Sequence, residues 1–255
     1  MIDIIAKIKE CGFSIPYTTN PRMIKNTACV FNKEPSRFYL EEKNKQLEKY
    51  KTDLYAQTEL CSRENLIFQS SKLIGIPEQS NIKNLAMLYE EDIAIIHNGK
   101  LEAICFCFPS SWIPRERIGY SLTDIHRPVA DSAKLVAASD RIARTICDPV
   151  LGSFRRYVWT ITNNPGLSNH PAEKIFTIPN SINDLYFRLE TQTTLPFPTG
   201  QSALFFVKVD IVPLSDIWHE FGEEIKNSVN SMTDSILMYK NLTNVKPILN
   251  KVLLM

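Results

Sequence analysis

The stretch Asp92-Ile-Ala-Ile-Ile-His97-Asn98-Gly99-Lys100, continued by Leu101-Glu-Ala-Ile-Cys105-Phe-Cys107-Phe108, reads as a β-hairpin. Asn98-Gly99 between two apolar runs supplies the positive φ values that a two-residue type I′ turn demands. His97 falls at that turn and is expected to be solvated. Upstream, from Pro35 to about Ile76, Leu40, Leu47, Tyr50 and Leu54 mark an apolar stripe among lysines and glutamates, a helical pattern packed by one face. A second helical stretch runs from Ile82 to about Tyr89, after the turn residues Pro77 to Asn81. Downstream, Pro109 to Pro114 breaks the strand, and a helix runs from Asp131 or Ser132 to about Cys147 with the stripe Leu135, Ala138, Ile142 and Ile146. Tyr157 to Thr162, Asp184 to Leu195 and Ser202 to Val212 read as three further strands, and helices resume at Ser215. Five strands without βαβ alternation predict an α+β fold with an antiparallel five-stranded sheet. The expected division is a helical lead-in over 1–90, a core over 91–212 and C-terminal helices over 213–255, packed as one compact domain.

Bulk properties exclude several classes of function. A formal charge of +1, with 44% hydrophobic and 22% charged residues, gives no reason to expect nucleic acid or an anionic membrane as partner. Met1 to Gly12 reads as a short amphipathic helix containing Asp3 and Glu10, not as a secretory signal. The apolar end, Pro247 to Met255, is interrupted by Asn250 and Lys251 and is too short to span a bilayer. The expected location is cytoplasmic. The six cysteines, Cys11, Cys29, Cys61, Cys105, Cys107 and Cys147, are too scattered for a disulfide framework. Cys105 and Cys107 share one strand face, where packing is a better reading than a metal site. No C-x-x-C-H occurs, so any haem is non-covalent. None of the eight glycines forms a G-x-G-x-x-G or G-x-x-x-x-G-K pattern, which argues against a Rossmann unit or a P-loop.

Few residues are placed for chemistry. Of the four histidines, His97 is in the hairpin turn, His170 precedes Pro171 in a polar loop, and His219 lies beside Trp218 on a helix. His126 stands in Leu122-Thr-Asp-Ile-His126-Arg-Pro-Val129, where Pro128 fixes the chain just beyond it. Spacing alone reads it as a structural histidine. Arg188, Glu190 and Gln192 alternate along a predicted strand and project from one face. They are either a solvated strand face or a polar cluster over a buried site, in which Arg188 donates to an oxygen ligand and Glu190 faces a cationic substrate. Trp112 and Trp159 are core residues or cofactor walls. A serine-nucleophile motif is absent around Ser110-Ser111.

The sequence Glu91-Asp92-Ile-Ala-Ile, then Cys107-Phe-Pro-Ser-Ser-Trp112, Ile118-Gly119, Ile125-His126-x-Pro-Val129, Trp159 and Arg188-x-Glu190-x-Gln192-Thr193 resembles the haem-dependent oxidative N-demethylase α-subunit family. Leu204-Phe-Phe and Tyr239-Lys240 extend the match, which covers about Pro35 to Lys240 with the motifs in order. Two departures are visible: Thr194-Leu-Pro-Phe-Pro198 stands where family members carry basic residues, and Val158 where they carry asparagine. The resemblance implies a PAS-like fold, similar in plan to PAS gas sensors, with a haem b pocket between sheet and helices. It implies His126 as the proximal ligand of the haem iron, with Trp112 and Trp159 beside the cofactor. Arg188, Glu190 and Gln192 become catalytic residues on the distal side.

The implied function is oxidation of a small amine by dioxygen, a monooxygenase or N-demethylase-like activity driven by a separate flavin or iron–sulfur reductase. The rival reading is a haem sensor of oxygen, nitric oxide or redox state using the same pocket. A third, a cofactor-free interaction domain, requires side chains to fill the space a haem would take.

Overall fold

The computed structural model describes residues 2–19, 22–26, 34–173 and 178–252. Cys29 and the last three residues, considered above, lie outside the described residues. Seven strands make one antiparallel sheet: β1 (Ile24–Lys25), β2 (Tyr55–Gln57), β3 (Asp92–His97), β4 (Lys100–Cys105), β5 (Phe154–Thr162), β6 (Tyr186–Pro196) and β7 (Ser202–Pro213). Their spatial order is β1-β5-β6-β7-β3-β4-β2. The expected five-stranded PAS-like sheet is corrected accordingly. Its five strands form the centre, and β1 and β2 are added at the edges from the segment read as purely helical. Two- and three-residue strands are too short to express a period of two, so the sequence pattern hid them.

The hairpin turn forms as the sequence requires, with φ of 49° at Asn98 and 74° at Gly99. His97 is corrected: it closes β3 rather than the turn, is 9% exposed, and its Nδ1 lies 2.8 Å from Ser202 Oγ on the neighbouring strand. The long ladders of β5, β6 and β7 fix the faces of the sheet. Arg156, Val158 and Thr160 stand opposite Gln192, Glu190 and Arg188, which in turn oppose Val207, Val209 and Ile211. Tyr157, Trp159 and Ile161 share the other face with Thr191, Leu189 and Phe187.

Helices α1 (Ile2–Cys11), α2 (Arg37–Leu54), α3 (Glu59–Arg63), α4 (Leu66–Ile74) and α5 (Ile82–Ala86) precede the hairpin; α6 (Leu122–His126) and α7 (Ala133–Cys147) follow it; α8 (Leu214–Asn230), α9 (Asp234–Tyr239) and α10 (Lys246–Lys251) end the chain. Ile4 and Ile8 of α1 and Ile217, Phe221 and Ile225 of α8 bury Trp159, Phe187 and Leu189 in one core. Residues of α2, α4 and α5 pack around β3 and β4 in another. Helix α7 lies across β6, β7 and β3, with α6 packed beside it.

The inward face of α2 keeps Leu54 of the expected stripe, with Leu47 packed at the core's edge, and adds residues the pattern did not mark. Tyr39, Lys43, Gln46 and Leu54 are its buried residues. Lys43 is fully buried, and its Nζ donates to the carbonyls of Ala86 (2.9 Å), Tyr89 (2.9 Å) and Glu91 (2.5 Å). Three carbonyls gathered around the end of α5 offer a buried ammonium the partners it needs. Asp92, 3.8 Å from Lys43, accepts from the amides of Cys107 (2.9 Å) and Phe108 (2.8 Å) and so pins the chain leaving β4. Burial pushes its carboxyl up to about 6 against these partners.

Candidate functional site

A cavity opens between the sheet face that carries Gln192 and the pair α6–α7. Ala94, Ile96, Ile104, Phe106 and Phe205 form its floor, Leu122, Ile125, Ile142 and Ile146 its roof, and Trp112 one side. The cavity has a volume of about 140 Å³ and opens in part to solvent. Among the described residues that line it, His126, Arg155, Arg156, Gln192 and Thr194 are polar and none carries a carboxylate.

His126 ends α6, a single turn whose first amides are capped by Ser121. Its Nδ1 lies 3.0 Å from Ser139 Oγ, and the same hydroxyl lies 2.9 Å from the carbonyl of Leu135. A carbonyl only accepts, so the hydroxyl proton points to Leu135 and the oxygen accepts from Nδ1–H. That tautomer leaves a lone pair on Nε2, which has no protein partner among the described residues. Burial first, then the Arg156 cation, depress the imidazole to about 4. It is neutral at physiological pH, the form that ligates metals.

Across the cavity a chain of polar contacts runs along the strands. Arg156 Nε donates to Gln192 Oε1 at 2.6 Å, Gln192 Nε2 to Glu190 Oε2 at 2.8 Å, and Arg188 Nη1 to Glu190 Oε1 at 2.5 Å. Ser110 Oγ donates to the same oxygen. Arg188, 1% exposed, is held further by the carbonyls of Phe108 (2.8 Å) and Leu167 (3.3 Å). Burial opposes the charge on Glu190, but Arg188 and the hydrogen bonds from Ser110, Arg188 and Gln192 prevail and hold its pKa below the usual carboxylate range. Behind this row Lys240 Nζ donates to the Trp159 carbonyl at 2.8 Å; burial draws its pKa down to about 8 although Glu190 pulls the other way.

The structure brings His126, Trp112 and Gln192 to one cavity. Glu190 and Arg188 share the Gln192 face, one and two steps before it along β6; the Glu190 oxygens and the terminal nitrogens of Arg188 are engaged by protein groups, and Arg188 Nε has no partner among the described residues. Trp159 lies on the opposite face, stacked on Phe187 (centroids 5.7 Å apart) and met edge-on by Phe13 and Tyr17. The other histidines stay away: His97 serves the hairpin, His170 stacks on Tyr50 at 3.9 Å beside Asp53, and His219 is exposed. Sequence reasoning missed Ser139 and Arg156. A serine four residues after Leu135, inside a buried stripe, was a legible signal. The doublet Arg155-Arg156 on an alternating strand was another, since one of the two must point inward.

The fold is that of an α+β protein with an antiparallel sheet, and its apolar chamber presents a neutral imidazole and a guanidinium. The chain belongs to the haem-dependent oxidative N-demethylase, alpha subunit-like family, whose model matches residues 31–250. None of the curated proteins compared with it matches the chain. Among the described residues no helix is long and apolar enough to cross a membrane.

Proposed function

We propose that the chain holds haem b in the cavity under α6–α7 with His126 as the proximal ligand, and oxidises a small amine with dioxygen and electrons from a separate reductase. The observation that carries this reading is the His126 imidazole, held neutral with its tautomer set by Ser139 and its Nε2 free at an apolar cavity. The residues present fit the group. A macrocycle supplies four of the iron's ligands, so one histidine is enough, and Trp112, Phe106, Ile125 and Phe205 offer the apolar walls it needs. Haem, when bound, supplies the oxygen and redox chemistry.

The chain's own residues do the rest. Ser139 keeps the proton on Nδ1 and fixes the ring's orientation. The apolar walls exclude water and strengthen each polar interaction within. Gln192 faces the cavity, with ionised Glu190 behind it as the negative charge that attracts a protonated amine. Arg188 acts as a positioning residue, tying Glu190 to Phe108 and Ser110.

Visible spectra of the oxidised, reduced and CO-treated protein test this reading. The parent protein is expected to show a b-type haem at one per chain. His126→Ala is expected to lose most of it, with partial rescue by free imidazole. A variant that keeps full haem and an unchanged ferrous–CO spectrum overturns the assignment.

A further inference from the structure

Arg156 is a half-buried cation at the cavity with little to compensate it. The Arg155 and Arg156 side chains project to opposite faces of β5. That of Arg155 meets Asn26 (3.1 Å), Tyr157 (3.4 Å) and Glu10 (3.5 Å). Arg156 makes one hydrogen bond, from Nε to Gln192, and neither terminal nitrogen has a protein partner among the described residues. The nearest acid in the row, Glu190, is already matched by Arg188 and accepts on both oxygens. A guanidinium keeps its proton, and the two terminal nitrogens are left as free donors at the largely apolar cavity that Arg156 lines.

We propose that Arg156 is the carboxylate-binding residue of this cavity, its two terminal nitrogens gripping an anion that the ligand brings. The fork of a guanidinium matches a carboxylate in bidentate geometry. A phosphate fits less well, since Gln192 already meets Arg156, the Thr194 hydroxyl already meets the Phe154 carbonyl at 3.4 Å, Arg155 meets Asn26, and neutral His126 offers a lone pair at Nε2 rather than a donor. The remaining walls are apolar, so the body of the ligand is apolar too. Two sources supply such a carboxylate: a propionate of haem, which rests on the reading above, or the acid group of an amino-acid-like amine substrate.

Two titrations separate the sources, run on the parent protein, Arg156→Met and the charge-preserving Arg156→Lys. The first compares haem with haem dimethyl ester, whose propionates are neutral, by absorbance. The second compares benzoate with benzamide by calorimetry, on haem-free and haem-loaded protein. If a propionate is the partner, the parent prefers haem over its diester by about 10- to 100-fold, the worth of one charge-assisted bond. Arg156→Met then brings the ratio near unity and Arg156→Lys retains part of it. If the substrate supplies the acid, the haem ratio is unmoved and the benzoate preference of the loaded protein is lost in Arg156→Met. Should the parent take up no haem, the haem reading fails by itself, and the benzoate arm on haem-free protein decides for or against Arg156. Equal ratios in the parent and in Arg156→Met, with matching circular dichroism and melting, overturn the proposal.

Discussion

Ser139 on α7 and His126 on α6 meet through a 3.0 Å contact that joins the two helices roofing the cavity. Ser139 is fully buried, so its hydroxyl has no water to turn to. Ser139→Ala removes the acceptor for Nδ1–H and frees the ring to rotate or change tautomer. Outer-shell partners of a ligating histidine are worth about 10- to 100-fold in metal affinity. Haem transfer to an acceptor protein is expected to quicken by that factor in Ser139→Ala while the spectrum stays that of a histidine-ligated haem. An unchanged transfer rate removes Ser139 from the site.

The depressed pKa of His126 predicts a signed pH effect on the haem-free fold. The folded imidazole titrates near 4 against 6.5 for an unperturbed histidine. Between those values the unfolded chain takes up a proton that the folded one refuses. The stability conferred is therefore complete above about pH 6.5 and is lost as pH falls towards 4. Relative to His126→Leu, the parent is expected to lose on the order of 2–3 kcal/mol over that window, read from urea midpoints. Asp92, pushed up to about 6, acts in the opposite sense in both proteins and cancels in the difference. Parallel pH curves for the two proteins refute the buried, neutral imidazole.

Arg188→Ala leaves the Glu190 carboxylate, the Phe108 and Leu167 carbonyls and the Ser110 hydroxyl without their shared donor. Removing one partner of a buried ion pair costs about 3–5 kcal/mol. A fall of that size in unfolding free energy is expected even without haem. Should the variant melt with the parent, Arg188 is free of its protein partners and available to a ligand.

Lys43→Met is expected to be among the most damaging changes far from the cavity. It strips the donor from three carbonyls and leaves Asp92 buried without its cation. A loss of about 3–5 kcal/mol follows from breaking a buried charge pair. Hydrogen exchange at Cys107 and Phe108, whose amides Asp92 accepts, is expected to accelerate with it. Normal protection there counts against the coupling.

Turnover is expected to depend on an external electron source, since the chain lacks a glycine-rich cradle for NAD or a flavin. Oxygen uptake with a pyridine nucleotide and an amine should stay near background and rise once a reductase or dithionite-type reductant is added. Sustained NADPH-driven uptake by the pure chain contradicts this. Inertness across amines even with reductant favours a sensor.

Much of the central sheet was legible because its signals are local. Asn98-Gly99 specifies its own turn, and the alternation of Arg188, Glu190 and Gln192 places them on one face whatever the partners. The edge strands were not legible: β2 follows α2 with no turn residue between them, and β1 has two residues. Lys43 reads as a surface lysine because the carbonyls that make its burial tolerable belong to a segment more than forty residues away. Trp112 and Trp159 look equivalent in the sequence. Only the pairing of Trp159 with Leu189, rather than with Glu190, sends it to the far face. In the same way His126 is distinguished less by its neighbours in sequence than by Ser139, thirteen positions on.

Strand β6 writes two messages in alternate letters. Arg188, Glu190, Gln192 and Thr194 share the face turned towards the chamber, the last two lining it, while Phe187 and Leu189 compose the wall of a different core, and neither set reads the other. A library that varies only Gln192 and Thr194 can therefore explore new ligands while the packing against α1 and α8 stays as it is. Inserting or deleting a single residue in β6 is a frameshift in space: beyond that point both messages are exchanged, leaving leucine and phenylalanine facing the chamber and charges in the oil.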